Sequence, residues 1–582
     1  MPQEDNFNQE VLRIRQNLEY NVKDDDLVLA IDKAMFESKD LKEEMDRIGK
    51  INKLYWKVGT AKDLSRIHPK KARVTSNRIF TDVETAIPIL TSETPEPTII
   101  GDVDNATQER IQKGLQIAYE VKYKLQSKLQ CLIRHWFLFR LGVLKYRWDK
   151  DKGFITENVL TRKIGFDKRA TSKENCEYVW EEMEDKLENL WTKFPKAKQE
   201  LQRLYGKDNP KAKAKYIEFW GGNGEWVCWK LKQTILDKKK NPNWDYEDET
   251  NNLFELQQFP YLFLSVFAFG DETGLYDETS LVEETAPLQE GVNKLEQQII
   301  DLNEGQKRVW VGSGEAISAQ KFQELLNATG DFGVYYDRKA PAGALSQVQS
   351  GKPDASLFNN LSHLLNEIDN TIGIHSTTRG ERAQQETLGG RQLLMGSDYG
   401  RLDLIVRNVE QIMEEWFNAY LHMLKVYSIE TEVLRNGKEA VELTKEDIPQ
   451  GLIVMIKKGS TLPTDEKSKV EHDIALANAG LLAPRRMFED MKDPDPEKSF
   501  QELIEWLVMT GKVNPQALQG QTQQAPPPQQ NQQPIQEGQQ GNQLDRLNGI
   551  LKSPQFQSLP PEEQKQIVIR GRQIVESIKQ QQ

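Results

Sequence analysis

Along this chain of 582 residues, apolar positions recur at steps of four and three in three stretches, the spacing of a helix buried along one seam. The first spans about 280–302. Leu281, Thr285, Leu288, Val292, Leu295, Ile299 and Leu302 alternate strictly there, with Glu283, Glu284, Glu290, Lys294 and Glu296 on the outer face. Pro287 inside it predicts either a kink or the true start of the helix. The second spans about 354–372, with Leu357, Leu361, Leu364, Leu365, Ile368 and Ile372 on one side. The third runs Met395, Tyr399, Leu402, Val406, Val409, Met413, Trp416, Tyr420, Met423, Tyr427. At ~1.5 Å per residue it makes roughly 50 Å of helix.

What lies between these stretches matters as much. Residues 303–353 read as a strand (308–311), a Gly312-Ser313-Gly314 turn, a helix (317–327) and a strand (332–336). Pairing of the first two helices makes this insert begin and end at one place, as a small α/β knob on a helical hairpin. Residues 373–390 are polar, with Arg379, Arg382 and Arg391 beside Glu381 and Glu386.

The remaining pattern is helical at 6–58, where Val11, Ile14 and Leu18 share a face and Leu41, Met45, Ile48 and Tyr55 form a stripe. Helices are expected at 76–90, 106–123 and 125–141, the last ending at Gly142. Residues 143–237 are β-rich. Hairpins are expected at 143–160 and around Gly221-Gly222-Asn223-Gly224, a strand at 178–183 and one helix at 186–205. Residues 237–252 read as a charged, exposed loop. Strands at 428–434, 440–443 and 452–457 precede helices at 466–479, 484–491 and 500–510. Residues 519–543, rich in Gln and Pro, form no core and read as a disordered tether, and 561–580 reads as a final helix.

Composition narrows the classes. The length exceeds one packed unit, and 37% hydrophobic with 29% charged residues suits a subunit with much surface. A net charge of −12 argues against nucleic-acid binding driven by bulk charge. Cys131, Cys176 and Cys228 offer neither a disulfide framework nor metal spacing, which fits a reducing compartment. The polar, acidic residues 1–10 do not read as a signal peptide, and the longest apolar runs are too short or too interrupted to span a bilayer.

Chemistry is thinly represented. The chain has no GxxxxGK[ST], HExxH, GxSxG or GxGxxG. Gly312-Ser313-Gly314 reads as a turn rather than a nucleophile, and the six histidines lack ligand spacing. Asp271-Glu272 with Asp277-Glu278 departs from an EF-hand and reads as a solvated loop. No catalytic residue, metal or cofactor is expected.

Pro260-Tyr261 with the apolar run to Phe269, Pro287-Leu288-Gln289 and Asn293 in the first helix, and Gly373-Ile374 closing the second complete a recognisable order of parts. In that order the chain resembles the portal, or head-to-tail connector, proteins of tailed bacteriophages. The resemblance covers residues 260–427 well and 74–100 weakly. No single motif is specific, and the order of parts carries the likeness. It implies an α+β, mostly helical portal fold. Residues 1–142 would be the helical N-terminal part of the wing and 143–260 its β-rich subdomain. Residues 261–302 would be the entry segment and first stem helix, 303–353 the clip and 354–374 the second stem helix. The tunnel loop would be 375–390, the long wing helix 391–427, the C-terminal wing or crown region 428–518, the linker 519–543 and a helical tail 544–582.

The resemblance also implies roles. Leu281, Leu288, Val292, Leu295, Ile299, Leu361, Leu365 and Ile368 would pack the stem. Arg379, Arg382, Gln384, Gln385 and Arg391 would face DNA in the channel. Lys307, Arg308, Trp310 and Tyr335 would form the clip docking surface, although Trp310 equally suits the knob's own core. Implied partners are other copies in a ring of about twelve, the terminase large subunit, a head-tail adaptor or neck protein, major capsid and scaffold proteins, and double-stranded DNA, with no membrane. The implied place is the capsid portal vertex of the virion, and the host cytoplasm during assembly. Acidic channel walls would repel phosphates and let DNA slide. The alternatives are a cytoplasmic coiled-coil scaffold or adaptor without a channel, and a nuclease or hydrolase using carboxylates of 271–284.

Overall fold

The computed structural model describes residues 18–63, 74–206, 210–269, 274–304, 309–312, 318–320, 323–324, 345–348, 354–375, 388–427, 431–437, 439–457 and 496–509, some helix and strand positions by backbone alone. The chain divides into two units, Met1–Thr464 and Asp465–Gln582. In the first, α1 (Asp24–Glu37) leads into α2 (Lys39–Val58), where Met45 and Ile48 of the expected stripe are buried. α3 (Arg78–Leu90) starts where the Asn77 side chain accepts the Phe80 N–H, a normal N-cap. After β1 (Pro97–Ile100), α4 (Asn105–Ile117) passes through a π-helical turn, Ala118–Lys122, before α5 (Leu125–Phe139). That last helix stops earlier than its sequence suggests. Arg140 takes a left-handed φ of 61°, and Gly142 already belongs to the next strand.

The β-rich region comprises β2 (Gly142–Asp149), β3 (Gly153–Val159), β4 (Ile164–Phe166), β5 (Tyr178–Lys186), α6 (Leu187–Lys193), α7 (Lys198–Tyr205), β6 (Lys213–Gly221), β7 (Trp226–Leu231), β8 (Thr234–Lys240) and β9 (Tyr261–Leu264). Its strands form two antiparallel sheets, β3-β2-β9 and β4-β5-β6-β7-β8. Val143, Val159 and Tyr261 from one meet Ile164, Phe166 and Trp220 from the other. The single helix expected over 186–205 is two, because Pro195 lacks the N–H needed to continue the first and opens a 3-10 turn instead. The exposed loop expected over 237–252 is also corrected. Its start completes β8, and Asn241, Asn243, Asn251 and Asn252 are buried. Asn241 Nδ2 donates to Gly224 O at 2.7 Å, so amide side chains hold the loop down in place of apolar ones.

α8 (Leu281–Glu304), β10 (Val309–Gly312), β11 (Leu345–Val348), α9 (Ala355–Ile372) and α10 (Leu388–Tyr427) follow. α10 has 40 residues, ~60 Å of helix. Leu402, Val406, Val409, Met413, Trp416, Tyr420 and Met423 of its stripe are all buried in the main core, the helix packing against α3, β2, β3 and β9. Trp416 and Tyr420 stack and meet Tyr123 and Phe154, and Trp416 Nε1 donates to Thr156 Oγ1 at 2.9 Å. β12 (Thr431–Asn436) pairs with β13 (Glu439–Thr444), and β14 (Ile453–Ile456) returns to pair with β1. Asn418 of α10 both accepts the Val454 N–H and donates to its carbonyl, at 2.9 Å each, serving β14 as a further strand would. The fold is α+β. In the second unit the described element is α11 (Pro496–Met509), with Trp506 exposed. The helices expected at 466–479, 484–491 and 561–580, and the tether at 519–543, lie outside the described residues.

Candidate functional site

α8 and α9 pack side by side as a hairpin, and the chain holds one end of it through polar side chains. Ser280 caps α8 by accepting the Glu283 N–H at 3.2 Å, the Ser-x-x-Glu pattern of a helix start. Asn52 Nδ2 reaches Ser280 Oγ at 3.1 Å and Leu138 O at 3.0 Å. Arg140 is bidentate to Glu283, with Nε–Oε1 at 2.7 Å, and its Nη1 meets Tyr276 OH at 3.1 Å and Glu44 at 3.3 Å. These contacts hold Arg140 in its left-handed conformation.

Asp277 lies just below. Its Oδ1 accepts the N–H groups of Val266 (2.7 Å) and Phe267 (2.9 Å), and its Oδ2 accepts Trp136 Nε1 (2.6 Å). The solvated loop expected around Asp277 is therefore wrong for this residue, which is fully buried because distant segments bring it three donors. Burial outweighs those donors and lifts its carboxyl to about 6.

Further along α8, two buried amides clamp the segment before α3. Gln289 Nε2 donates to Ser76 O, and its Oε1 accepts Arg78 N–H at 3.0 Å. Asn293 Nδ2 donates to Gly59 O at 2.8 Å, and Gln289 Nε2 also reaches Asn293 Oδ1 at 3.0 Å. Glu290 receives Thr60 at 2.5 Å and Lys62 at 2.6 Å. On the partner helix, Arg78 binds Asp369 through both nitrogens, each at 2.9 Å. α9 ends at Gly373, whose φ of 83° suits glycine and whose N–H returns to Asp369 O at 2.8 Å. Between the helices, a Cβ on Gly291 would lie 2.9 Å from Leu364 Cδ1, so the missing side chain permits the close approach.

Burial falls along the hairpin. At the held end Val282, Gln289, Val292, Asn293, Ile368 and Ile372 are buried. Through residues 354–367 of α9 no residue is buried, Phe358 is 47% exposed, and Leu302 on α8 is exposed too. Pro287 sits on the exposed side, inside a helix that starts six residues earlier, at Leu281.

The predicted packing residues all lie on these two helices. Val292, Ile299 and Ile368 are buried, and Leu281, Leu288, Leu295, Leu361 and Leu365 are half-buried. Beyond α8, β10 pairs antiparallel with β11, with Trp310 in register with Gln347. The strand expected at 332–336 lies outside the described residues, and β10 pairs instead with Leu345–Val348, for which the sequence pattern predicts no element. Lys307, Arg308 and Tyr335 also lie outside, as do Arg379, Arg382, Gln384 and Gln385. Arg391 does not belong to a loop. It is the fourth residue of α10, which runs through Gly389 and Gly390 because two glycines, ~1 kcal/mol each, do not stop a long helix.

Other buried charge has a structural setting. Lys145 lies between Glu181 (2.8 Å) and Glu218 (2.6 Å), joining the two sheets, with Tyr261 OH on Glu181 at 3.1 Å. Burial opposes ionisation of Glu218, but Lys145 prevails and holds its carboxyl near 2. On α10, His422 Nδ1 accepts Leu253 N–H (3.2 Å), so Nε2 carries the proton given to Asn243 O (2.7 Å), and burial depresses its pKa to about 4. Among the described residues no three His, Cys, Asp or Glu side chains are placed to hold a metal, and no helix is long and apolar enough to cross a membrane.

No family model and no curated protein matches the chain. Solved structures do. A chain in the neck of an empty gene transfer agent (GTA) particle, computed with C6 symmetry, is 10% identical with a TM-score of 0.39, over 72% of this chain and 91% of that one. A chain in the virion of a native GTA particle is also 10% identical, with a TM-score of 0.35, over 74% of this chain and 97% of that one. At such scores the likeness is remote and adds nothing to what the hairpin itself carries.

Proposed function

We propose that this chain is the portal subunit of a tailed phage or phage-like particle, forming the ring through which DNA enters and leaves the capsid. The observation that carries this reading is the hairpin. Its two helices are paired, one end is fixed by buried amides and ion pairs, and the apolar stripe beyond is covered only in part. A stripe left half-covered in one chain is what a neighbouring copy covers. α8 and α9 are the stem, β10 and β11 belong to the clip, residues 376–387 are the tunnel loop, and α10 is the wing helix behind it. About twelve copies, the number implied by the family resemblance, close heterologously around the axis.

Lys294 is the single Lys or Arg on the two stem helices, against eight carboxylates. Glu283, Glu290 and Asp369 are engaged by Arg140, Lys62 and Arg78, and the other five leave the helices a net acidic surface that repels phosphate and lets the duplex slide. No chemical step is assigned, and the work is geometric. The clip, through Lys307, Arg308, Trp310 and Tyr335, meets the terminase large subunit during packaging and the adaptor afterwards. The tunnel loop, through Arg379, Arg382, Gln384 and Gln385, contacts DNA phosphates. Electron microscopy of the purified protein tests the assembly: closed rings with a central opening are expected, and small or open oligomers reject it in favour of a scaffold. Deleting 376–387 tests the loop. Lost packaging or retention is expected, and normal values of both reject its role.

A further inference from the structure

A cleft of about 980 Å³ opens beside α10, with no residue of the hairpin in its lining. Phe259 and Leu262 belong to its buried apolar lining, while Leu256 (73% exposed) and Ile453 (53% exposed) stand on its rim. Five carboxylates line it, those of Glu174, Glu177, Glu225, Glu255 and Glu415. The one ammonium there, of Lys173, is engaged with Glu415 at 3.1 Å. Glu174, Glu225 and Glu255 are exposed. An apolar trough with an acidic margin suits an occupant that is apolar along one ridge and cationic beside it.

α2 carries such a ridge on its outer face. Ile51, Leu54 and Val58 follow Arg47 at steps of four, three and four, so all four share one side of the helix. The three aliphatic residues are exposed, Leu54 by 44%, whereas Ile48 and Asn52 on the other side are buried. Lys50 and Lys57 flank the row and are exposed, Lys50 meeting Asp46 of the preceding turn at 2.5 Å in a surface pair that yields readily. Residues 47–58 hold four cations and no acid, in a chain of net charge −12. Single exposed aliphatic residues are ordinary, but a row of three beside cations marks a contact surface.

Both surfaces belong to the first unit and are fixed to its core. α2 packs on α3 and α5, and the cleft is walled by α10 and the loop at 253–259. Neither surface can reach the other within one chain, and both stand exposed, so each finds its complement on another copy. We infer that the outer face of α2 in one copy docks in the acidic cleft of the next, Ile51 and Leu54 against Leu256 and Ile453, Lys50 and Lys57 against Glu225 and Glu255. Two different patches of one subunit then meet, which makes the contact heterologous. The inference deepens the portal reading and rests on it for closure into a ring, and it adds a second contact to that of the hairpin.

Cysteine pairs in the full chain test it. Leu54→Cys with Leu256→Cys is expected to join copies on mild oxidation into products of two, three and more chain masses. That joining should be about tenfold faster, or more, than with Leu54→Cys and Leu29→Cys, an exposed pair outside the cleft. Equal rates overturn the contact, and rings seen alongside equal rates leave the portal reading standing. Fast joining within open or small oligomers supports the contact and rejects closure. Charge reversal is the second measurement, at exposed positions that leave the core intact. Lys50→Glu with Lys57→Glu should raise the concentration for half-assembly by about tenfold or more, and adding Glu225→Lys with Glu255→Lys should return it to within roughly threefold of the wild type. A loss that is not restored overturns the inference in favour of an anionic partner such as nucleic acid. Reversal without any loss also overturns it.

Discussion

Two apolar stripes with the same four-three spacing meet different fates. On α10 every stripe position from Leu402 to Met423 is buried by the chain's own α3 and sheets. On α8 and α9 burial holds at the foot and thins beyond it to Ile299 on α8, and at residues 354–367 no position is buried. Spacing therefore shows that a helix face is destined for contact without showing whose surface covers it. What separates the two is where the polar anchors lie. α10 has Asn418, Glu414 and His422 bonded to neighbours along its C-terminal half. The hairpin has its anchors, Asn52, Arg78, Gln289 and Asn293, toward one end.

The comparison can be broken from the covered side. Trp416→Ala removes a fully buried ring and its bond to Thr156, and should cost about 3–5 kcal/mol of unfolding free energy in a denaturant titration. Assembly should fail with it, because the subunit itself is lost. At the hairpin's foot, Arg78→Ala leaves the largely buried Asp369 carboxylate without its bidentate partner. A loss of about 3 kcal/mol is expected, with α8 and α9 gaining amide exchange before α10 does.

Acid sets the two regions against each other. His422 on α10 has its pKa lowered from 6.5 to about 4, so its stabilisation is complete above 6.5 and is lost as pH falls to 4. Asp277 below the hairpin is raised from 3.8 to about 6. Its contribution runs the other way, complete below 3.8 and lost as pH rises through 6. Each amounts to roughly 3 kcal/mol at ~1.36 kcal/mol per pH unit, so between pH 6.5 and 4 these two contributions largely offset one another. Asp277→Asn, measured by denaturation at several pH values, should expose a steady loss of stability toward pH 4. An unchanged slope would count against this pairing of groups.

The smallest effect on the subunit should come from the exposed stripe. Phe358→Asp is expected to shift the unfolding free energy by less than about 0.5 kcal/mol and yet prevent ring formation in sizing and microscopy. Rings that persist would place the subunit contact elsewhere.

Period was legible in the sequence, and partnership was not. α2, α8, α9 and α10 stand where the apolar steps put them, with ends moved by a few residues. The pairing of Pro97–Ile100 with Ile453–Ile456 joins segments some 350 residues apart, and no local pattern encodes it. Leu345–Val348 reads Leu-Ser-Gln-Val, whose two adjacent polar residues give no alternation, in contrast to its partner Val-Trp-Val-Gly. Gln289 and Asn293 stood out in the sequence. Their receptors, the carbonyls of Ser76 and Gly59, belong to unremarkable loop residues that only the fold brings near. Asp277 was misread for the same reason, since its three donors come from Val266, Phe267 and Trp136.

The clamp of Gln289 and Asn293 on backbone carbonyls has a consequence for construction. Apolar surfaces can slide by fractions of an ångström at little cost, whereas hydrogen bonds of this kind lose energy steeply when misdirected. In a circular assembly any tilt at one joint is repeated at every joint, and the last member either meets the first or overshoots into an open spiral. In the ring proposed for this chain, directional bonds at the foot of the hairpin fix that tilt within each subunit, before any neighbour arrives.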